Sequence, residues 1–289
     1  PWAERAVAAV QADGGRMTLE DLAAYEVIWD EPLAAPLGDY VVYTNPPPNN
    51  GGVALIEAYN VALASGLAED GHLTESPAAL RKALDATQLG LLAFFPAEAV
   101  AALYPGVDFS LESRLTPEYA AELWSRIEAG VIPTRWARPP SHSDDVVAID
   151  EQGNIAAITH SINAVMWGKT AIVVDGVSIG DPGSFQQAQI AATGPGRRLP
   201  SPTETGILMR GDDAVLGFAS MGSGLHQRTF QALWSVTQHG MSVDEAIDTP
   251  DFFQPRTDPA TLETTFRVIA GGFPRAVLDG TGYAYEEVG

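Results

Sequence analysis

The hydrophobic period of this chain changes once, near Pro139, and that change limits the folds open to it. Before it, apolar residues recur at the three-and-four spacing of amphipathic helices. After it come short apolar runs of strand length, each soon followed by a helical stretch. Helices first, then strands closely followed by helices, predict a layered α+β fold with a two-sheet core. With 289 residues, 46% of them hydrophobic, the chain can bury a large core, as one large domain or two modest ones.

The helical part reads as follows. PWAERAVAAVQADGG is a helix with Pro1 near its first turn and Gly14–Gly15 at its end. It begins without Met or a signal-peptide pattern, so the expectation is that an N-terminal part is missing. Compartment is therefore left open between periplasm and cytoplasm. Thr18, three residues before Asp21, makes a capping-box-like start. DYVVYTN is a short strand, and PPPNNGG (46–52) is a stiff loop that turns permissive. VALIEAYNVALASGL is a helix ending at Gly66. SPAALRKALDATQLGLLAFF and TPEYAAELWSRIEAG are two more, the latter capped by Thr116, with Pro117 first and Gly130 as its stop.

Beyond Pro139, VVAID, EQGN and IAAITHSIN form a hairpin signal. Their apolar runs are continuous rather than alternating, which predicts that both faces are covered. TAIVVDGVSI and AVLGFASMG read as further buried strands. LHQRTFQALWSVTQHG is a long helix stopped by Gly240, SVDEAIDTP a short capped one, and FRVIAGGFPRAVLDGTGYAYEEV a helix and then a strand.

Composition removes several function classes. The formal net charge is -21, from 37 acidic and 16 basic residues, which repels phosphate backbones and anionic membranes. There is no cysteine, hence no thiol chemistry, disulfide or thiolate metal site. No apolar run approaches the roughly 18 residues of a membrane span. His72, His142, His160, His226 and His239 are scattered, without H-x-x-x-H or H-E-x-x-H spacing, so a zinc site is not expected. Neither a P-loop, a G-x-G-x-x-G nor a G-x-S-x-G elbow is present. No metal or organic cofactor is implied. MGSG (221–224) lies between a strand and a helix, where small residues let a backbone approach a ligand and the helix offers free N–H groups. Many strand–helix turns share that pattern.

Ser143 stands where the Pro-rich loop meets the first strand of the hairpin. Taken alone it is either an ordinary polar residue at a strand entrance or, after cleavage before it, a new N-terminus carrying both nucleophile and base. Several stretches in order resemble γ-glutamyltranspeptidases: GGRMTLEDLAAYEVIWDEPL, NPPPNNGGVALIEAYN, DDVVAIDEQGNIAAITHSIN, GPGRRLPSPT and SMGSGLHQRTFQALWSVTQHGMSVDEAIDTPDFF. That family belongs to the N-terminal-nucleophile hydrolases, made as precursors that cut themselves. The resemblance implies a four-layer αββα sandwich with part of the large subunit missing. Residues 1–142 would be the C-terminal part of the large-subunit-like region and 143–289 the small-subunit-like catalytic region.

It also implies roles. Aligning Asp150, Gly153 and Asn154 with the family's Asp-x-x-Gly-Asn puts Ser143 at the nucleophilic Thr and the autocleaved bond between His142 and Ser143. Ser161 falls at a hydroxyl that supports the nucleophile, and Asn163 at the residue that binds the α-amino acid end of the substrate. Gly222 and Ser223 fall on the paired glycines whose N–H groups form the oxyanion hole. Departures leave Asp181, within SIGDPGSF, and Ser201, within LPSPT, as the remaining substrate-binding candidates. The acyl group is open between γ-glutamyl and another small acyl. The implied partners are a small-molecule amide and the chain's own processed large subunit, with a homo-oligomer left open. Two alternatives stand beside this reading. One is an uncut, inactive homologue that binds a ligand or partner. The other is an esterase triad using His142, His160 or His226 as base.

Overall fold

The computed structural model describes residues 2–95, 97–134, 144–160, 170–180 and 187–289. Its elements in order are α1 (Trp2–Ala12), α2 (Leu19–Ala23), β1 (Leu33–Leu37), β2 (Tyr40–Thr44), α3 (Gly51–Ala64), α4 (Pro77–Thr87), α5 (Ala97–Leu103), α6 (Leu111–Arg114) and α7 (Pro117–Glu128). There follow β3 (Asp144–Ile149), β4 (Ile155–His160), β5 (Val173–Val174), β6 (Val177–Ser178), α8 (Gln187–Thr193), β7 (Thr203–Arg210), β8 (Asp213–Met221), α9 (Gly222–His239) and α10 (Val243–Asp248). The chain closes with β9 (Phe252–Thr257), β10 (Thr264–Ile269), α11 (Arg275–Gly280) and β11 (Ala284–Val288). Two compact units interleave in sequence. One is 1–31, 142–144 and 160–199; the other is 32–141, 145–159 and 200–289.

In the smaller unit, Thr18 caps α2 through the expected box with Asp21. Trp2 Nε1 donates to the Val174 carbonyl at 3.1 Å, and Arg5 pairs with Asp175. The run TAIVVDGVSI, expected as one buried strand, is instead the two-residue hairpin β5–β6, with Val173 and Val177 exposed. The reason is local. Asp175 and Gly176 both take left-handed φ, 52° and 82°, which is what a tight hairpin turn demands and what Asp-Gly supplies.

The larger unit holds a four-stranded antiparallel sheet in the order β1-β2-β7-β8. Helix α3 is buried almost all round, from Gly51 to Ala62 save Asn60. Its first turn needs glycine for space. A Cβ on Gly51 would lie 2.0 Å from the Thr203 carbonyl oxygen, and one on Gly52 would lie 2.4 Å from Thr44 Oγ1. The loop 46–52 is thereby seated against the start of β7. Tyr59 of α3 meets Trp234 of α9, ring centroids 5.0 Å apart, and Trp234 stacks on Phe230 at 5.6 Å. All three rings are fully buried and anchor the core.

Three expectations fail in this unit. The tail is not helix then strand. It is β10, α11, β11, with β10 antiparallel to β9 and parallel to β11. The period decides it: Phe266 and Val268 point inward while Arg267 and Ile269 alternate outward, and a parallel return requires the intervening helix. Nor is the β3–β4 hairpin covered on both faces. Val146, Val147, Ile149 and Ile158 are all exposed, although Ile155 and one methyl of Val147 lie where a Cβ on Gly217 of β8 would meet them. A continuous apolar run is compatible with two covered faces but does not enforce them.

The first helix of the pair expected over 76–95 also divides, into α4 and a 3-10 segment from Gln88 to Phe94. Near its start, His72 lies edge-to-face against His239 at the end of α9, centroids 5.0 Å apart. Burial holds both imidazoles below the ordinary 6.5; His239 lowers His72 further, and Glu75 opposes both effects in part. A folded pKa below the unfolded one means stability present above the unfolded value and lost as pH falls through the folded value. Thermal unfolding across a pH series on either side of 6.5 should therefore show a midpoint that drops on the acid side, and His239→Gln should flatten that drop. A parallel acid slope in the variant would refute the assignment.

Candidate active site

The site is built at the junction of β8 and α9. Strand β8 pairs with β7 so that Thr203 faces Met221 and Glu204 faces Ser220. It ends at Met221, and α9 starts at the next residue. The first four N–H groups of any helix lack intrahelical acceptors. The Gly222 and Ser223 amides thus stand at the positive end of an 18-residue helix, where developing negative charge is favoured.

A buried polar network straddles this junction. Glu204 and His226 are 2% and 3% exposed, and His226 Nδ1 lies 2.5 Å from Glu204 Oε1. The Ser220 hydroxyl donates to Glu204 Oε2 at 3.4 Å, and Ser220 Oγ lies 2.5 Å from Thr229 Oγ1. One proton arrangement satisfies all three contacts: His226 and Ser220 donate to the carboxylate, and Thr229 donates to Ser220. Among the described residues His226 Nε2, which is buried, has no hydrogen-bond partner. The ring packs on Gly90, where a Cβ would come within 2.8 Å of its Cδ2.

Beside this network runs a second row of hydroxyls. Thr44 Oγ1 donates to the Thr205 carbonyl at 2.7 Å, Thr205 Oγ1 meets Thr159 Oγ1 of β4 at 2.7 Å, and Asn49 Nδ2 donates to Thr203 Oγ1. Ser201 sits in an isolated bridge to Asn49. Its carbonyl accepts from Asn50 N at 2.7 Å, and its hydroxyl lies 3.4 Å from Thr203 Oγ1. It therefore ties the 46–52 loop to the lead into β7.

Of the residues singled out in the sequence, Gly222 and Ser223 open α9 and Ser201 precedes β7. His142, Ser143, Ser161, Asn163 and Asp181 lie outside the described residues. His226 does not form a Ser–His–acid triad among the described residues: its carboxylate is Glu204, and its second nitrogen meets no hydroxyl. Glu204 escaped the sequence reading. Its signal was a lone acid between two threonines in a strand otherwise rich in apolar and small residues, a position that burial makes costly unless paired. Among the described residues, no group of three or more His, Asp or Glu is placed to hold a metal ion, and no helix is long and apolar enough to cross a membrane.

The family profile described as Gamma-glutamyltranspeptidase matches residues 1–279. The chain belongs to the γ-glutamyltranspeptidase family. Among its relatives is a glutathione hydrolase proenzyme of a Pseudomonas species, 25% identical over 273 residues, covering 87% of this chain and 47% of that protein. The Escherichia coli glutathione hydrolase proenzyme is 24% identical over 276 residues, covering 86% of this chain and 46% of its own length. The structure of a cephalosporin acylase from Bacillus halodurans superposes with a TM-score of 0.70 at 21% identity, over 99% of this chain and 51% of that one. The chain thus shares the fold of that acylase and spans about half the length of the proteins it matches.

Proposed function

We propose that this protein is a self-processing amidohydrolase or acyltransferase that cleaves an amide through an acyl-enzyme on Ser143. The observation that carries the reading is the family match across both halves of the chain, together with a strand-to-helix junction that leaves the Gly222 and Ser223 amides without intrahelical acceptors.

The chemistry follows from what a hydroxyl needs. An alcohol is a weak nucleophile until a base removes its proton. Cleavage of the His142–Ser143 bond converts the Ser143 nitrogen from an amide into an amine of pKa about 7.7–8.0, close to ambient pH and suited to that task. The Ser143 oxygen then bonds to the substrate carbonyl carbon while its proton passes to the amine. The oxyanion takes hydrogen bonds from Gly222 and Ser223. On collapse the carbon–nitrogen bond breaks, and the amine returns the proton to the leaving nitrogen. Water or an acceptor amine attacks the resulting ester, its proton passes to the Ser143 amine and back to the serine oxygen, and the acyl group leaves.

In this reading Ser161 supports the nucleophile, and Asn163, Asp181 and Ser201 meet the substrate. Residues 1–142 and 143–289 become the two processed parts of one αββα sandwich. The relatives named glutathione hydrolase proenzyme favour γ-glutamyl amides and a cut precursor. The departures around Asp181 and Ser201 favour another small acyl group.

Intact mass and an anilide screen test this. The expected result is two fragments meeting at His142 and Ser143 and release of aniline from either γ-glutamyl or short-acyl anilides. A single uncut polypeptide without turnover on both substrate classes would mark a binding homologue and refute the proposal.

A further inference from the structure

We infer that Glu204 and His226 are positioning residues that fix the direction of the Gly222 and Ser223 amides, an inference that rests on reading those amides as the oxyanion donors. The buried network grips the junction from both sides. Ser220 lies on β8 just before the turn, while His226 and Thr229, three residues apart on α9, present to one face just after it. Both of the bonds that cross to a third element end on Glu204 of β7, a strand held between β2 and β8. Rotation of the helix start relative to the strand would break buried bonds to a carboxylate, in surroundings where an unpaired charge is costly.

Stability alone does not account for the arrangement. An apolar pair of similar volume would hold helix to sheet about as well, since replacing both partners of a buried hydrogen bond by apolar groups of like shape leaves stability nearly unchanged. An apolar pair cannot set the angle at which the first N–H groups of α9 point. That angle is what an oxyanion hole requires, because its donors must be aimed before charge develops. Gly90 completes the clamp from the far side of the imidazole. A side chain there would displace the ring, and a Cβ would lie 3.1 Å from Nε2.

The test uses the processed enzyme and two readouts, steady-state kinetics and amide hydrogen exchange at 222–225. His226→Leu should lower kcat roughly 10- to 100-fold, the range for removing a residue that orients a reacting group, with KM nearly unchanged. Exchange at 222–225 should quicken in the same variant. His226→Asn, whose amide N–H takes the place of Nδ1–H, should restore most of both. A folded His226→Leu protein with parental exchange at 222–225 overturns the inference, whatever its activity. Should that variant not fold, Ser220→Ala removes the other Glu204 partner without emptying the pocket, and parental exchange and kcat there overturn the inference equally. A parent that is never cut at Ser143 and turns over no amide defeats the proposed function instead, and the exchange comparison still decides the role of the clamp.

Discussion

Replacing Ser143 with alanine should leave the polypeptide in one piece and lower amide turnover by about 10⁴-fold or more. Removing a nucleophile costs this much because the other groups of the site act as a unit with it; only the background from binding and oxyanion stabilisation survives. In the proposed mechanism two consequences share one cause. Without the hydroxyl there is no attack on the His142 carbonyl, so no free amine is made, and without the amine there is no base. Ser143→Thr should keep both steps, since it keeps the hydroxyl and adds only a methyl that restrains the rotamer. Intact mass and anilide turnover measured on the same preparations separate the outcomes. Spontaneous cutting at this bond in Ser143→Ala would falsify the assignment.

Arg114→Ala should destabilise the larger unit by about 3–5 kcal/mol, the cost of stranding a buried charge. For a unit of this size that corresponds to a fall in Tm of roughly 10 °C. The stranded group is Glu57 of α3, which is fully buried. Arg114 reaches it with both arms of its guanidinium, Nη2 to Oε2 at 2.7 Å and Nε to Oε1 at 3.3 Å, and the Tyr119 hydroxyl donates to Oε1 as well. Burial works to lower the Arg114 pKa, but the Glu57 charge and hydrogen bonds outweigh it and hold the guanidinium above its ordinary value. Glu57 and Arg114 replaced together by Met should recover most of the loss, because an apolar pair needs no partner. Calorimetry of the single and double variants checks both statements, and a single variant within 1 kcal/mol of the parent would contradict the first.

The local grammar of the chain was legible where one short-range signal acts alone. Thr18, Thr116 and Ser242 each cap a helix through their own side chains, and Gly130 and Gly240 stop α7 and α9 with left-handed φ of 86° and 67°. The junction at Gly222 was legible too, because small residues between a strand and a helix leave a mark in the sequence. The failures fall where period and length compete. TAIVVDGVSI reads as one strand by hydropathy, yet Asp-Gly turns it back on itself. FRVI reads into the following helix, although its alternation belongs to β10. Strand β1 carries Pro36 and went unread, since an edge strand tolerates a missing N–H where a central strand does not.

The site divides along the same line. The order of motifs, the hydroxyl at 143 and the glycine-bearing turn are properties of adjacent residues, so the sequence alone determined the family and the class of chemistry to test. The pairing of Glu204 with His226 joins residues 22 apart in the chain. It exists because β7 and β8 pair in one register and α9 leaves β8 at one angle. Only the tertiary structure decides such a contact, because burial, and not proximity in the chain, makes a carboxylate and an imidazole need each other.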